Sequence, residues 1–228
     1  MCAAGARAEL ASRPDERRPA QIVVLGDSLG DGLWASLFRQ YWRSRSVKIT
    51  RLARASTGFN AHPYDQDLVE LLARQRIDLL IVQTGANDRQ RVVSLDGKEI
   101  AYFGTERWYQ LYGQRLAQFL GTAQQRKVPV LWVGLPIMRD ERFDSGMRLI
   151  SRMHQEYAEQ HGALFLDITD FSADEDGAYA EFLVQSNGRK RRLRHEDGVH
   201  SWELGYDRLA THVAEAIRAR FPGVLPDR

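Results

Sequence analysis

Residues 21–29 of the chain read QIVVLGDSL, and this stretch decides the fold class. The apolar run is typical of a buried strand, and it stops at a tight turn formed by Gly26, Asp27 and Ser28. Large apolar residues then recur at helical spacing: Trp34, Leu37, Phe38, Tyr41 and Trp42. Ser28 therefore lies at the carboxyl end of a strand and beside a helix N-terminus, where α/β sheets bind ligands. It is either a nucleophile or only the helix cap.

The alternation of strand and helix patterns continues along the chain. Further apolar runs predict strands at residues 47–55, 77–82, 128–133 and 163–168, with helical segments between and after them. Such alternation predicts right-handed βαβ units and a mostly parallel sheet that is covered by helices on both faces. Two small hairpin insertions are also predicted, at residues 92–103 and 178–194, with turns at Asp96-Gly97 and Asn187-Gly188.

Length and composition limit the classes of protein to which the chain can belong. The 228 residues are predicted to form one domain over residues 21–222, preceded by a disordered lead over residues 1–20. The formal net charge is +2, so charge does not indicate nucleic acid as a partner. No apolar run approaches the roughly 20 residues that a transmembrane helix needs. The single cysteine, Cys2, excludes an internal disulfide and a cysteine-rich metal site.

The position of Cys2 leaves the cellular compartment open. A mature lipoprotein begins at a cysteine, so a removed signal would indicate the periplasm or the cell envelope. The favoured alternative is a chance cysteine in a tail, because no lipobox is visible, and the cytoplasm then stays open as the compartment.

Polar loops follow three of the predicted strands, at residues 26–28, 56–58 and 85–88. Because parallel strands end at the same edge of a sheet, we expect these loops to lie together. Acyl transfer needs a nucleophile, a base, an orienting group and donors for the oxyanion. Ser28 supplies a hydroxyl, Gly58 allows close approach of a backbone N–H, and the Asn87 amide is a donor at any pH.

A fourth segment, Asp197-Gly198-Val199-His200, stands before the last helical pattern. The imidazole of His200 can accept the serine proton near neutral pH, and Asp197 can hold its other nitrogen. Each of these residues has a plain alternative as a turn, cap or surface residue. Their order, each at the end of the appropriate element, favours a catalytic site.

The four blocks, Gly26-Asp27-Ser28, Gly58, Gly85-x-Asn87-Asp88 and Asp197-x-x-His200, resemble those of the SGNH (GDSL-type) hydrolase superfamily, in a bacterial branch mostly of unknown function. The resemblance implies a flavodoxin-like, three-layer α/β/α sandwich with a five-stranded parallel sheet in the order 2-1-3-4-5. It implies Ser28, His200 and Asp197 as nucleophile, base and orienting residue. It also implies an oxyanion hole made by Ser28 N–H, Gly58 N–H and the Asn87 side chain. Family members need no metal or cofactor.

The sequence offers weaker signals about the substrate. Residues at or after predicted strand ends, or beside His200, are candidates for substrate binding: Asp27, Arg54, Asp88, Arg89, Arg139 and Trp202. The basic run at residues 189–194 either meets an anionic substrate, with Arg192 and Arg194 on one face, or is a solvated arm. No long aliphatic lid is visible, which favours a small acyl group such as O-acetyl on a glycan.

Two classes of function therefore compete. The first is a serine esterase that cleaves a small-molecule or glycan ester through an acyl-enzyme. The alternative is a catalytically weak or inactive binding module, or an O-acetyltransferase, that acts on an anionic cell-envelope polymer. The presence of every triad residue favours the enzyme, and the sequence does not indicate an oligomeric state.

Overall fold

The computed structural model describes residues 18–226. Nine strands and six helices occur within that range. In chain order they are β1 (Ala20–Gly26), α1 (Ser28–Tyr41), β2 (Val47–Ala53), α2 (Tyr64–Leu72), β3 (Leu79–Gln83), β4 (Val92–Val93), β5 (Ile100–Ala101), α3 (Glu106–Gln125), β6 (Val130–Val133), α4 (Glu141–Gln160), β7 (Leu164–Leu166), α5 (Thr169–Ser172), β8 (Phe182–Val184), β9 (Lys190–Arg192) and α6 (Glu203–Arg220).

A parallel sheet of five strands in the order β2-β1-β3-β6-β7 forms the middle layer. Counted along the sheet strands alone, this is the order 2-1-3-4-5 that the resemblance implied, so the predicted fold class is confirmed. The register also aligns the strand ends, because Gly26 pairs with Ala53 on one side and with Gln83 on the other. The loops after β1, β2 and β3 therefore leave the sheet at one level.

Two apolar cores lie on the two faces of the sheet. Helices α2, α3 and α4 pack on one face, in a core that includes Tyr112, Phe119 and Trp132. Helices α1 and α6 pack on the other, where Leu37 and Val213 are fully buried. Sheet strands read as nearly continuous apolar runs because both of their faces are covered.

The apolar pattern of α1 is broader than the face that the helix buries. Leu37 contacts the core, but Phe38 and Trp42 are 45% and 60% exposed, although their spacing predicted burial with it. Phe38 stacks on Trp34 at a centroid distance of 5.5 Å, and the guanidinium of Arg43 lies over the Trp42 ring. Local contacts on the helix surface thus replace the predicted contact with the core.

Both predicted hairpins are present as antiparallel pairs, β4 with β5 and β8 with β9. The short helix α5 was not predicted, because its four residues are too few to show a helical period. Strand β1 begins at Ala20, within the predicted lead, and the rest of that lead up to residue 17, including Cys2, lies outside the described residues. None of the helices within residues 18–226 combines the length and apolar character needed to cross a membrane.

Candidate active site

Three side chains from distant parts of the chain form a hydrogen-bonded line. Ser28 Oγ lies 2.7 Å from His200 Nε2, and His200 Nδ1 lies 2.7 Å from Asp197 Oδ2. Ser28 is the first residue of α1, while the other two residues belong to the loop before α6. In this arrangement one ring nitrogen can take the serine proton while the carboxylate holds the other nitrogen.

The loop around Asp197 sets the tautomer of the histidine. Asp197 Oδ1 accepts hydrogen bonds from the backbone N–H groups of Val199 at 2.8 Å and His200 at 2.9 Å. Partial burial would raise the pKa of Asp197, but the hydrogen bond from the His200 ring and those from the backbone lower this pKa to about 2. Asp197 is therefore ionised at neutral pH and favours a proton on Nδ1, which leaves Nε2 as the acceptor.

Two arginines hold this loop against the end of β6. Arg194 is only 4% exposed and donates to the carbonyl oxygens of Ile137 at 2.9 Å and Val199 at 2.8 Å. The guanidinium of Arg139 donates to the carbonyl oxygen of Glu196. The position of the histidine and its carboxylate thus depends on guanidinium groups that lie outside the triad.

Asp27 ties the loop after β1 to the loop after β3. Its Oδ1 accepts from the N–H of Leu29 at 2.9 Å, and its Oδ2 accepts from those of Gly85 and Ala86 at 3.0 Å each. Burial raises the pKa of Asp27, and these backbone hydrogen bonds oppose the rise. The side chain is fully buried, so the expectation that Asp27 contacts substrate is corrected: it caps α1 and positions Ser28.

Close packing explains two glycines of this edge. A Cβ on Gly26 would lie 1.8 Å from the carbonyl oxygen of Gln83, so only glycine allows β1 and β3 to pair there. A Cβ on Gly58 would lie 2.1 Å from Asp88 Oδ1. Glycine at position 58 therefore leaves room for a buried carboxylate beneath the loop after β2.

Asp88 joins that loop to the helices behind the sheet. Its Oδ1 accepts from the N–H of Asn60 at 2.9 Å, and its Oδ2 accepts from the Tyr112 hydroxyl at 2.7 Å. The same hydroxyl lies 2.7 Å from His154 Nε2. Burial raises the pKa of Asp88 to about 7 and lowers the pKa of His154 to about 3. Asp88 is fully buried, so it supports the Gly58 loop and does not have the substrate contact that we expected from the sequence.

Asn87 links the loops after β2 and β3. Its Nδ2 donates to the carbonyl oxygen of Thr57 at 3.0 Å and lies 3.4 Å from Asp27 Oδ2. Both amide hydrogens therefore have an acceptor within this edge of the sheet. The contact with Asp27 is the longer and weaker of the two, so that hydrogen is the one available to a substrate oxygen.

The remaining candidates for substrate binding have exposed side chains. Arg54 lies 3.5 Å from Asp67, with just over half of its side chain in solvent. Arg89 is exposed, and Trp202, two residues beyond His200, is 46% exposed. Arg139, by contrast, is bonded within the loop before α6, as described above.

The basic run at residues 189–194 does not form one charged arm. Arg192 in β9 pairs with Glu181 at 3.0 Å and with Glu196 at 2.9 Å, so its charge is compensated. Beyond β9 the chain turns inward, and the guanidinium of Arg194 donates hydrogen bonds to backbone carbonyl oxygens. The expectation that Arg192 and Arg194 share a face toward the substrate is therefore wrong.

Several residues that support the site were not predicted from the sequence. Arg194 belongs to the same basic run as the exposed arginines, and the charge pattern of the run does not separate it from them. Tyr112 lies among apolar residues at helical spacing, a pattern that indicates a buried ring but not the role of its hydroxyl. His154 gave no signal at all, because its partner Tyr112 lies 42 residues away on another helix.

Solved structures with this fold cover most of the chain. A GDSL-like lipase from Bacteroides thetaiotaomicron aligns with a TM-score of 0.60 at 14% identity, over 91% of this chain and 92% of its own. A lipase/acylhydrolase from Enterococcus faecalis gives a TM-score of 0.58 at 17% identity, over 92% and 99%. An acetyl xylan esterase gives 0.61 at 15% identity, over 86% and 99%. At these identities the similarity shows the fold.

No curated protein sequence matches the chain significantly. The family described as "Protein of unknown function (DUF459)" matches residues 21–216, which include Ser28, Gly58, Asn87, Asp197 and His200. The resemblance to the SGNH hydrolases is thereby confirmed. The chain belongs to this DUF459 family, an SGNH-like family, and it has the fold of the GDSL-type hydrolases.

Proposed function

We propose that this protein is a serine hydrolase that cleaves a small acyl ester, such as an O-acetyl group on a glycan. The observation that carries the proposal is the unbroken line from Asp197 through His200 to Ser28, with both hydrogen bonds at 2.7 Å. A serine that only capped α1 would not need a histidine at its hydroxyl, and Asp27 already caps that helix.

In the acylation half-reaction, His200 Nε2 takes the proton from Ser28 Oγ as this oxygen attacks the ester carbonyl carbon. The carbonyl oxygen becomes an oxyanion, which accepts hydrogen bonds from the N–H groups of Ser28 and Gly58 and from Asn87 Nδ2. Collapse of the intermediate breaks the bond to the alkoxy oxygen. His200 gives its proton to that oxygen, so the alcohol leaves neutral and an acyl-serine stays behind.

In the second half-reaction, water replaces the alcohol. His200 removes one proton from the water as its oxygen attacks the acyl carbon, and the proton then returns to Ser28 Oγ when the acid leaves. Asp197, with its lowered pKa, stays ionised throughout and stabilises the imidazolium that forms twice in each cycle. Besides the ester and water, this chemistry uses side chains and backbone N–H groups of the chain itself.

The preference for a small acyl group rests on two observations. The sequence has no long aliphatic insertion that could act as a lid, and one structure with the same fold is an acetyl xylan esterase. Exposed Trp202 and Arg54 near the triad loops are suited to contact a sugar ring or an acidic sugar on the alcohol side.

The test is hydrolysis of p-nitrophenyl acetate, p-nitrophenyl octanoate and acetylated xylan by wild type and Ser28→Ala. We expect wild type to prefer the acetate over the octanoate and to release acetate from the glycan, with no turnover by the variant. Ser145→Ala is the matched control, because Ser145 is an exposed serine on α4. Equal rates for wild type and Ser28→Ala would contradict the proposal.

A further inference from the structure

A cavity of about 630 Å³ lies between α6, the segment around α5 and the β8–β9 hairpin. Its walls are largely apolar and include Phe171, Phe182, Leu193 and Leu209. Small-molecule sites commonly have this size and an apolar lining with a few polar groups. The cavity is therefore large enough to enclose most of a drug-sized molecule.

One polar side chain in the cavity wall has a hydrogen-bond acceptor without a partner among the described residues. Gln83, at the end of β3, is 1% exposed, and its Nε2 makes a long contact of 3.4 Å with the carbonyl oxygen of Gly134. Its Oε1 has no hydrogen-bond partner anywhere in residues 18–226. Buried acceptors in proteins are nearly always paired, so this acceptor in the wall of a cavity is suited to a ligand with a donor.

The charges around the cavity select against anions. Three carboxylates line it, from Asp174, Glu175 and Asp176. Of the two arginines in the wall, Arg194 is engaged by backbone carbonyls, and Arg208 lies over the ring of Phe171. A neutral molecule therefore suits the cavity better than a carboxylate or phosphate.

The cavity is separate from the triad but shares a wall with it. Leu29 and Ser201, which directly follow Ser28 and His200, both line the cavity, whereas neither triad residue does. We propose that this cavity is a second binding site, for a neutral and mainly apolar molecule whose single hydrogen-bond donor rests on Gln83 Oε1. The site does not depend on whether the triad is active.

The test uses two probes of nearly the same shape. N-Phenyl-1-naphthylamine is neutral, apolar and fluorescent, and it carries one N–H, while 1-benzylnaphthalene has a CH₂ in place of that N–H. We expect saturable binding of the amine at one site per chain. Competition should show that the amine binds about tenfold more tightly than the hydrocarbon, the usual size of one hydrogen bond.

Three variants locate the binding. Gln83→Leu should remove the preference for the amine, and Ala180→Trp, which fills the cavity from its wall, should abolish binding of both probes. Gln75→Leu is the matched control. The side-chain amide of Gln75 also has an unpaired buried atom, in this case the nitrogen, but Gln75 lies outside the cavity lining. Circular dichroism and urea denaturation report whether each variant is folded.

Three results would overturn the second site: no saturable binding of the amine, equal affinity for the two probes, or unchanged binding in folded Ala180→Trp and Gln83→Leu. Ser28→Ala should bind the amine as wild type does. Failure of the proposed hydrolysis and failure of this site would therefore appear in different measurements.

Discussion

In the proposed mechanism, each of the two hydrogen bonds that join Ser28, His200 and Asp197 is effective only when the other is present. The serine is a weak nucleophile until the imidazole takes its proton, and the imidazole presents the correct nitrogen only while Asp197 holds the other. Residues that act as one unit give losses that are not additive.

We therefore predict that Ser28→Ala and His200→Ala each reduce kcat/KM for p-nitrophenyl acetate by several orders of magnitude. The double variant should lose little more than either single variant, since either change already disables the proton transfer. Asp197→Asn should cost less. Initial rates of wild type and the four variants decide this, and losses that multiply in the double variant would mean that the two residues act independently.

In the proposed mechanism, Asn87 acts on the oxyanion and not on the proton transfer. Its amide is held between the carbonyl oxygen of Thr57 and the carboxylate of Asp27, which aims it without a substrate present. Asn87→Ala should lower kcat by roughly 10²–10³-fold and leave KM nearly unchanged, because an oxyanion donor acts on the transition state. Steady-state kinetics separates the two parameters. A change confined to KM would place Asn87 in substrate binding instead.

At the scale of elements, the loop before α6 depends on the segment that follows β6. Arg194 connects them through charge-assisted hydrogen bonds to Ile137 and Val199, and its removal leaves buried carbonyls unpaired. Arg192, two residues earlier, makes ion pairs at the surface and lies over the ring of Phe182. The two arginines are thus a matched pair with opposite environments.

Arg194→Met should lower the free energy of unfolding by about 2–4 kcal/mol, the size expected when buried polar groups lose their partners. It should also reduce kcat/KM, since the loop carries His200. Arg192→Gln should cost less than about 1 kcal/mol and leave activity unchanged. Urea denaturation and initial rates measure both effects. Similar losses for the two variants would show that the burial of Arg194 has no special consequence.

Element patterns and turn chemistry made most of the architecture predictable. The apolar runs located the sheet strands, Asn187-Gly188 located a hairpin, and parallel pairing implied that the loops after β1, β2 and β3 meet. Burial of single polar side chains was not predictable. Asp27 and Asp88 were expected to contact substrate because loop residues at a sheet edge are usually exposed. Backbone N–H groups instead hold the carboxylate of Asp27, and the Asn60 N–H and the Tyr112 hydroxyl hold that of Asp88.

The contacts that support the site could not be predicted from the sequence either, and the reason is physical. The pairing of Tyr112 with His154 depends on how α3 packs against α4. The cavity that we propose as a second binding site depends on where the β8–β9 hairpin meets α6. Such contacts join segments tens of residues apart, whereas hydrophobic period and turn signals report only on the local chain.

At the scale of the whole molecule, two buried groups couple stability to pH in opposite directions. Asp88 has a pKa of about 7 when folded against an ordinary value of 3.8, so the folded state binds more protons between these limits. Alone, it lowers the free energy of unfolding as pH rises. His154 has a pKa of about 3 against 6.5, so the unfolded state binds more protons, and alone it raises that free energy as pH rises.

Replacing either Asp88 or His154 should reveal how the other residue changes the free energy of unfolding with pH. Relative to wild type, Asp88→Asn should gain stability as pH rises from about 4 to 7, because the opposing carboxyl is gone. His154→Gln should lose stability relative to wild type from about pH 3 to 6.5. Urea denaturation at intervals of one pH unit gives both difference curves. Parallel curves for the two variants would contradict the assigned directions.

The central claim is that Ser28 is a nucleophile activated by His200. A fluorophosphonate reacts with such a serine irreversibly: its phosphorus bonds to Oγ, fluoride leaves, and the proton passes to the histidine. We predict one adduct per wild-type chain, mapped by mass spectrometry to the peptide containing Ser28, and none on Ser28→Ala or after denaturation. An unmodified wild-type chain, or equal labelling of Ser28→Ala, would contradict the claim.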